Sequence, residues 1–330
     1  MHRAIDAAPF AAHPIVDGVE RVRPARPVRD PSDHAREIGL AGEATDEDVH
    51  AAMGSASAAQ AAWDRRGGTA RAAILERAAD LFEERRALLM ALIVREGGRT
   101  VANALSELRE AVDFLRYYAK EARIHFEGAV SLPGVTGENN HLALRGRGVF
   151  AAIAPWNFPL SIFTGQIAGA LAAGNSVLAK PAEQTPLIAA ASVRLLHEAG
   201  VPGDVLHLLP GDGAHIGKAV FTDPRLAGVV FTGSTETALL IHRALAAREG
   251  PIPALIAETG GLNAMIVDST ALPEQVARDV LTSAFDSAGQ RCSSLRVLFL
   301  QDDVADRMLE QVLGAMDELK LGDPFDLTTD

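Results

Sequence analysis

Gly148-Val-Phe-Ala-Ala-Ile-Ala-Pro-Trp-Asn-Phe-Pro159 is an apolar run, too short for a helix, that ends abruptly in a bulky polar turn. The pattern repeats down the chain. Ser176-Val-Leu-Ala179 runs into Lys180-Pro-Ala-Glu-Gln-Thr-Pro186, Gly228-Val-Val-Phe231 into Thr232-Gly-Ser-Thr-Glu236, and Ala254-Leu-Ile-Ala257 into Glu258-Thr-Gly-Gly261. Val205-Leu-His-Leu208 is a further short apolar run, and helical stretches near 160–173, 184–199, 213–221 and 234–248 separate these segments. Short strands alternating with helices predict an α/β fold, a parallel sheet covered by helices on both faces. Ligands of such sheets bind outside the carboxyl ends of the strands, where all four polar turns fall.

Upstream, three helical patterns dominate. Thr45-Asp-Glu-Asp48 offers an N-cap and acidic first-turn residues to an alanine-rich run reaching about Trp63. Thr69 to Glu96 reads as one helix closed by Gly97-Gly98, and Thr100 to about Phe126 as another, with Leu105, Leu108, Val112, Leu115 and Tyr118 at helical spacing. These are read as packing elements. Gly128 to Gly148, broken by Pro133-Gly134 and Gly137, reads as a hairpin arm. Residues 1–35 read as an extended N-terminal segment, whose basic run Arg21 to Arg36, interleaved with Pro24, Pro27 and Pro31, is expected to be solvated. Past Gly260 a second βα group begins: strand Ala264–Val267, helix Pro273 to Phe285, a polar loop around Cys292, strand Leu295–Leu300 and a helix from Asp302 to about Leu319. The expected organisation is a cofactor domain over 36–259 and the start of a second α/β domain over 260–330.

Composition narrows the function classes. The chain has 330 residues, 48% of them hydrophobic, enough for a substantial core. A net charge of -12 argues against a nucleic-acid surface, which needs clustered Lys and Arg. No apolar stretch is long enough to span a membrane and no signal-peptide pattern opens the chain, so a cytoplasmic protein is expected. The ten histidines form no His-Glu-x-x-His pair and the single cysteine has no second cysteine beside it for zinc, so no metal site is expected. Neither a Gly-x-Ser-x-Gly elbow nor a phosphate-binding P-loop is present.

The polar turns supply candidate chemistry. Cys292, the only cysteine, lies in Phe285-Asp-Ser-Ala-Gly-Gln-Arg-Cys-Ser-Ser294, a small polar setting unlike that of an inert core thiol, and is the candidate nucleophile. Glu258, at a strand end beside Thr259-Gly260-Gly261, is a candidate general base if a partly dry cleft raises its affinity for protons; a solvated surface glutamate is the plain alternative. Asn157, held among bulky neighbours, offers an amide donor for an oxyanion hole. Gly233 and Ser234 open a helix directly after a strand, a place for a pyrophosphate, though an ordinary N-cap reads the same way. Gly211-Asp-Gly-Ala-His-Ile-Gly217 is similar to a dinucleotide fingerprint with one residue too many before its last glycine. Glu183 follows Lys180 by three residues, so both can reach one ribose, and a carboxylate there favours NAD over NADP.

Pro155-Trp-Asn-Phe-Pro159, Lys180-Pro-Ala-Glu183, Phe231-Thr-Gly-Ser-Thr235, Glu258-Thr-Gly-Gly261 and Gly289-Gln-Arg-Cys-Ser293 together resemble the aldehyde dehydrogenase superfamily in order and spacing. Arg109-Glu-Ala-Val-Asp-Phe-Leu-Arg-Tyr-Tyr118, Asn263-Ala-Met-Ile-Val-Asp-Ser269 and the stretch Ser283 to Val297 resemble more narrowly the 1-pyrroline-5-carboxylate dehydrogenase half of bifunctional proline-utilisation flavoenzymes. The resemblance implies a Rossmann-like NAD domain and oxidation of L-glutamate γ-semialdehyde to glutamate. It implies a Cys292 thiolate that attacks the aldehyde, an oxyanion held by Asn157 and the Cys292 backbone N–H, and a Glu258 that activates the hydrolytic water. Ile153, Trp156, Lys180, Glu183 and Ser234 are implied to contact NAD, and Arg291 and Ser293 the small-molecule aldehyde. It further implies homo-oligomers and a fused proline dehydrogenase half in full-length members, whose catalytic domain continues past the equivalent of Asp330, so the chain reads as a fragment. The other readings are a catalytically silent NAD-binding or assembly module and a dehydrogenase for a different aldehyde; Glu258 speaks against an acylating relative.

Overall fold

A computed structural model describes residues 10–330. The chain opens with β1 (Phe10–Ala12), β2 (Ile15–Val16), β3 (Val19–Glu20), β4 (Ala25–Asp30) and β5 (Asp33–Gly42), followed by α1 (Asp46–Arg65), α2 (Gly67–Glu84), α3 (Arg86–Gly97) and α4 (Val101–Phe126). A hairpin of β6 (Val130–Leu132) and β7 (Asn140–Leu142) leads into the alternating region: β8 (Val149–Ile153), α5 (Ser161–Ala172), β9 (Ser176–Lys180), α6 (Pro186–Glu198), β10 (Leu206–Leu208), α7 (Gly213–Thr222), β11 (Leu226–Gly233), α8 (Thr235–Ala246) and β12 (Ala254–Thr259). The last part holds β13 (Asn263–Val267), α9 (Pro273–Phe285), a short turn of helix at Asp286–Gly289, β14 (Leu295–Leu300) and α10 (Asp302–Asp317).

Among the described residues the main sheet has seven strands in the order β12-β11-β8-β9-β10-β2-β3. Its first five strands are parallel, and β2 and β3 extend the far edge antiparallel. From β8 the chain builds one way through β9 and β10, then returns to the other side of β8 for β11 and β12. The order therefore reverses between β8 and β11, which opens a crevice at their carboxyl ends. β8 shows why both faces must be covered: Phe150 and Ala152 join the core shared with α5 and α6, whereas Val149 and Ala151 join the core shared with α1, α7 and α8. Side chains alternate across a strand, so a strand apolar at every position needs two layers of helices. A third, smaller core lies under β13, β14, α9 and α10.

Local chemistry sets the helix ends. Thr45 caps α1 in a reciprocal box with Asp48, Thr100 caps α4, and Pro186 starts α6 where its missing N–H costs nothing. Arg71, almost fully buried, donates to Ala172 O at 3.0 Å and Asp64 O at 2.7 Å, closing the C-terminal ends of α5 and α1.

Two expectations need correction. The single helix over 69–96 is two, α2 and α3, broken at Arg85 with φ -96 and ψ 14. Leu89 to Glu96 is buried on every side, so α3 has to plunge into the core, a path that a straight continuation of the amphipathic α2 does not take. The basic run 21–36 is extended and mostly exposed, as expected, but it is not free in solvent: β4 pairs antiparallel with β5, and Arg21, Arg23 and Arg36 serve buried carboxylates. Arg21 and Arg23 reach Asp48 at 3.0 and 2.6 Å, while Arg36 and Arg95 reach Asp30 at 2.7 and 3.2 Å. Both aspartate side chains are wholly buried, and a buried charge persists only with such partners. Among the described residues no helix is long and apolar enough to cross a membrane.

Candidate active site

The crevice at the reversal point is a cavity of about 980 Å³. Ile153, Trp156, Asn157, Lys180, Glu183, Gly233, Ser234, Arg291 and Cys292 line it, so residues from four separate stretches face one cavity. Gln166 of α5 braces its floor by donating to Ile153 O at 3.2 Å and to Thr232 Oγ1 at 3.0 Å, which ties the ends of β8 and β11 together.

On the β9 side, Lys180 Nζ donates to Glu183 Oε1 at 2.7 Å, and the same oxygen accepts the Gly213 N–H at 2.7 Å. Burial pushes the Glu183 carboxyl up, but the Lys180 hydrogen bond and charge outweigh it and hold the group below the usual glutamate range. It is an ionised acceptor at neutral pH. A Cβ at position 213 would lie 3.2 Å from Glu183 Oε1 and 3.4 Å from Lys180 Nζ, so glycine there keeps the approach to the pair open. Ser234 is the N-cap of α8, its hydroxyl accepting from Thr237 N at 3.1 Å. The capping alternative is thus what its side chain does, and the free N–H groups of the first turn carry the positive helix end facing the cavity.

Behind the wall, two buried glutamates brace the helices that follow the motif loops. Glu107 of α4 accepts from Leu160 N at 2.8 Å and Ser161 N at 3.3 Å at the start of α5. Glu96 of α3 accepts from Leu187 N at 2.7 Å and Ile188 N at 2.8 Å at the start of α6. Burial dominates both: it pushes Glu96 up to about 8 against its two backbone hydrogen bonds, and Glu107 up to about 7 against the charge of Arg99 and its own backbone bonds. Sequence reading passed over both residues. The available signal for Glu107 was a carboxylate on the apolar face of α4, between Ala104 and Leu108.

On the other side stands the loop that carries Cys292. Ser287, Ala288 and Gly289 all take left-handed conformations, with φ 57, 53 and 67. Cys292 is exposed, and Asn263 Nδ2 fixes the loop's far end by donating to Cys292 O at 2.7 Å and Ser294 O at 3.0 Å. Asn157 Nδ2 donates to Gln290 O at 2.8 Å, joining the β8 turn to the Cys292 loop. An amide nitrogen carries two N–H groups, so one is left for a ligand. Arg291 extends from the wall to Thr282 O at 2.5 Å and Asp286 at 3.3 Å, so two of its nitrogens already brace the loop.

Three expected residues are not on the wall. Gly211 turns the chain with φ 143 just outside it, and its neighbours Asp212 and Gly213 line the cavity instead. Ser293 is exposed beyond Cys292. Glu258 is the second-last residue of β12, just before the lining residues Thr259 and Gly260, and it is exposed rather than set in a partly dry cleft. The reason is topological: β12 is the outermost strand of the main sheet, with a partner on one side only.

Comparisons with known proteins bear on this arrangement. The bifunctional protein PutA of Klebsiella aerogenes is 52% identical over 327 residues, which is 98% of this chain and 24% of the relative. The 1-pyrroline-5-carboxylate dehydrogenase of Geobacillus thermodenitrificans is 35% identical over 322 residues, 96% of this chain and 62% of the relative. The chain therefore spans about a quarter of the PutA relatives' length. Among solved structures, Bradyrhizobium japonicum proline utilization A superposes with a TM-score of 0.86 at 62% identity, covering 87% of this chain and 30% of that one. The Thermus 1-pyrroline-5-carboxylate dehydrogenase with bound NAD superposes with a TM-score of 0.94 at 32% identity, covering 98% of this chain and 64% of that one. The family model described as the aldehyde dehydrogenase family matches residues 19–330, and the chain belongs to that family.

Proposed function

We propose that this chain houses the NAD site and the nucleophile of a dehydrogenase that oxidises L-glutamate γ-semialdehyde, the open form of 1-pyrroline-5-carboxylate, to L-glutamate. One observation carries the reading: Cys292 and Asn157 line the same cavity as the Lys180–Glu183 pair, and the Asn157–Gln290 hydrogen bond joins its two sides. The substrate class is supported by the relatives named for 1-pyrroline-5-carboxylate.

The residues present fit a dinucleotide. The Lys180–Glu183 pair, left open by Gly213, offers a cation and an ionised carboxylate to ribose hydroxyls, and that carboxylate repels a 2′-phosphate. Gly233 and the first turn of α8 offer backbone N–H groups to a pyrophosphate, and Ile153 and Trp156 line the path between. When bound, NAD supplies the hydride acceptor.

The chain's own groups do the remaining work. The Cys292 thiolate adds to the aldehyde carbon, so a C–S bond forms and the carbonyl oxygen takes the negative charge. The free Asn157 N–H and the Cys292 backbone N–H stabilise that oxyanion. After oxidation the acyl group is held on Cys292 as a thioester. Glu258, on the solvent side of the β12 end, takes a proton from water as it attacks, releasing the carboxylate product and the thiol.

The test is NADH formation from γ-semialdehyde set against short aliphatic aldehydes, with NAD binding followed separately. Turnover with a preference for the semialdehyde is the expected result. NAD binding with no turnover of any aldehyde would instead make this a binding module, and preference for another aldehyde would move the substrate assignment.

A further inference from the structure

The nucleophile loop belongs to the small β13–β14 layer, yet its partners in the oxyanion hole belong to the main sheet, and Asn103 bridges the two. Its Oδ1 accepts from Arg99 Nη2 at 3.2 Å, and its Nδ2 donates to Asp286 Oδ1 at 2.8 Å and to Thr100 Oγ1 at 3.1 Å. Both ends of the amide are used, so its orientation is set by the network. Arg99 is buried, stacks 4.1 Å over the Phe158 ring and donates to the main-chain oxygen of Asn157. Asp286, the first residue of the loop, also pairs with Arg291 at 3.3 Å. A closed ring results, running Asn103, Arg99, Asn157, Gln290, Arg291, Asp286 and back to Asn103. The left-handed Ser287 and Ala288 sit inside this ring, and non-glycine residues hold such conformations only when their surroundings over-determine them.

We propose that Asn103 is a positioning residue that registers the Cys292 loop against the oxyanion donor Asn157, through Asp286 on one side and Arg99 on the other. The inference rests on the roles given above to Cys292 and Asn157. Asn103 touches neither substrate nor cofactor; without it the thiol and the amide N–H lose their mutual register, while the Lys180–Glu183 side of the cavity is untouched.

The test uses Asn103→Asp, Asp286→Asn and the two combined. Asn103→Asp sets a carboxylate against Asp286 and breaks the ring there. The double substitution restores it, because the new carboxylate accepts from Arg99 and the new amide at 286 donates back. Expected for Asn103→Asp is a fall in kcat of about tenfold to a hundredfold, the scale of an ångström-sized misplacement, with NAD affinity and thermal midpoint unchanged and recovery to within about threefold in the double variant. A second readout needs no turnover: the rate of Cys292 alkylation by iodoacetamide is expected to change at least about threefold in Asn103→Asp and to return in the double variant, with Cys292→Ala as the unlabelled control. The proposal is overturned if kcat and the alkylation rate both stay at the wild-type value, if NAD affinity and midpoint fall together with activity, or if the double variant fails to recover. Were the wild-type protein to oxidise no aldehyde, the functional reading would fail and the alkylation arm alone would decide the positioning role.

Discussion

The two sides of the crevice are built differently. The side that carries Lys180 and Glu183 rests on strands buried along nearly their whole length, Val149 to Ala152 in β8 and Ser176 to Lys180 in β9, with the motif loops held by Gln166, Glu96 and Glu107. The side that carries Cys292 rests on a two-stranded sheet with an exposed outer face, Ile266 being 82% and Phe299 55% exposed. One side rests on its own core, and the other is tied to it by polar contacts, Asn103 to Asp286, Asn157 to Gln290 and Arg95 to Asp323, and by Phe325, which packs into the main core. Cofactor binding and chemistry should therefore be separable by mutation.

The largest expected effect is Cys292→Ala, which removes NADH formation by at least about a thousandfold while NAD titration by fluorescence gives the wild-type affinity. A parallel loss of NAD affinity would show that the two sides are not separable. Stability should divide along the same line. Phe163→Ala, in the fully buried core of α5, is expected to cost about 3–5 kcal/mol in urea unfolding. Met308→Ala, in the smaller core under β14, is expected at about 2 kcal/mol, the low end for such truncations. Equal costs would mean that the small layer is as tightly packed as the large one.

A smaller effect concerns cofactor choice. Glu183→Gln removes the charge that opposes a 2′-phosphate, so the ratio of NADP to NAD affinity is expected to rise about tenfold. An unchanged ratio would remove Glu183 from the ribose site.

The mildest prediction reads the braces themselves. Burial pushes Glu96 up to about 8 from an ordinary 4.5, so between those values the folded chain holds a proton that the unfolded chain has released. Its contribution to stability is full below pH 4.5 and is lost as pH rises through about 8. Glu107 acts with the same sign, its contribution being lost through about 7. Glu96→Gln should flatten the dependence of the unfolding midpoint on pH between about 5 and 8; a slope as steep as the wild type's would mean that the Glu96 carboxyl does not titrate in that window. Asp48 has the opposite sign. Burial pushes it up, but hydrogen bonds from Arg23, Thr45 and Arg21 prevail and hold it at about 2, so its contribution is present above 3.8 and is lost as pH falls through about 2.

Much of this arrangement was legible in the chain. The strand–turn motifs predicted β8, β9, β11 and β12 to within a few residues, and helix Pro273 to Phe285 and strand Leu295–Leu300 end where periodicity ended them. The reason is that a buried strand must be apolar and its ligand-bearing end polar, a contrast written in consecutive residues. The helix break at Arg85 and the ion pairs of the basic run were not legible, because both answer to distant partners: a core that α3 must enter, and carboxylates at Asp30 and Asp48 that must be neutralised. Glu258 was placed at the right strand end, but its exposure depends on β12 having no neighbour on its outer side, which no local pattern encodes.

By itself the sequence determined the α/β alternation, the family, and the residue types able to act as nucleophile, oxyanion donor and ribose acceptor, because each depends on side-chain chemistry and short-range spacing. Only the tertiary structure decided that Cys292 and Asn157 line one cavity, that the Ser234 hydroxyl caps a helix, and that Asn103 stands between Arg99 and Asp286. Those contacts join residues up to 183 positions apart, and such partners are chosen by the packing of whole layers rather than by any neighbour in the chain.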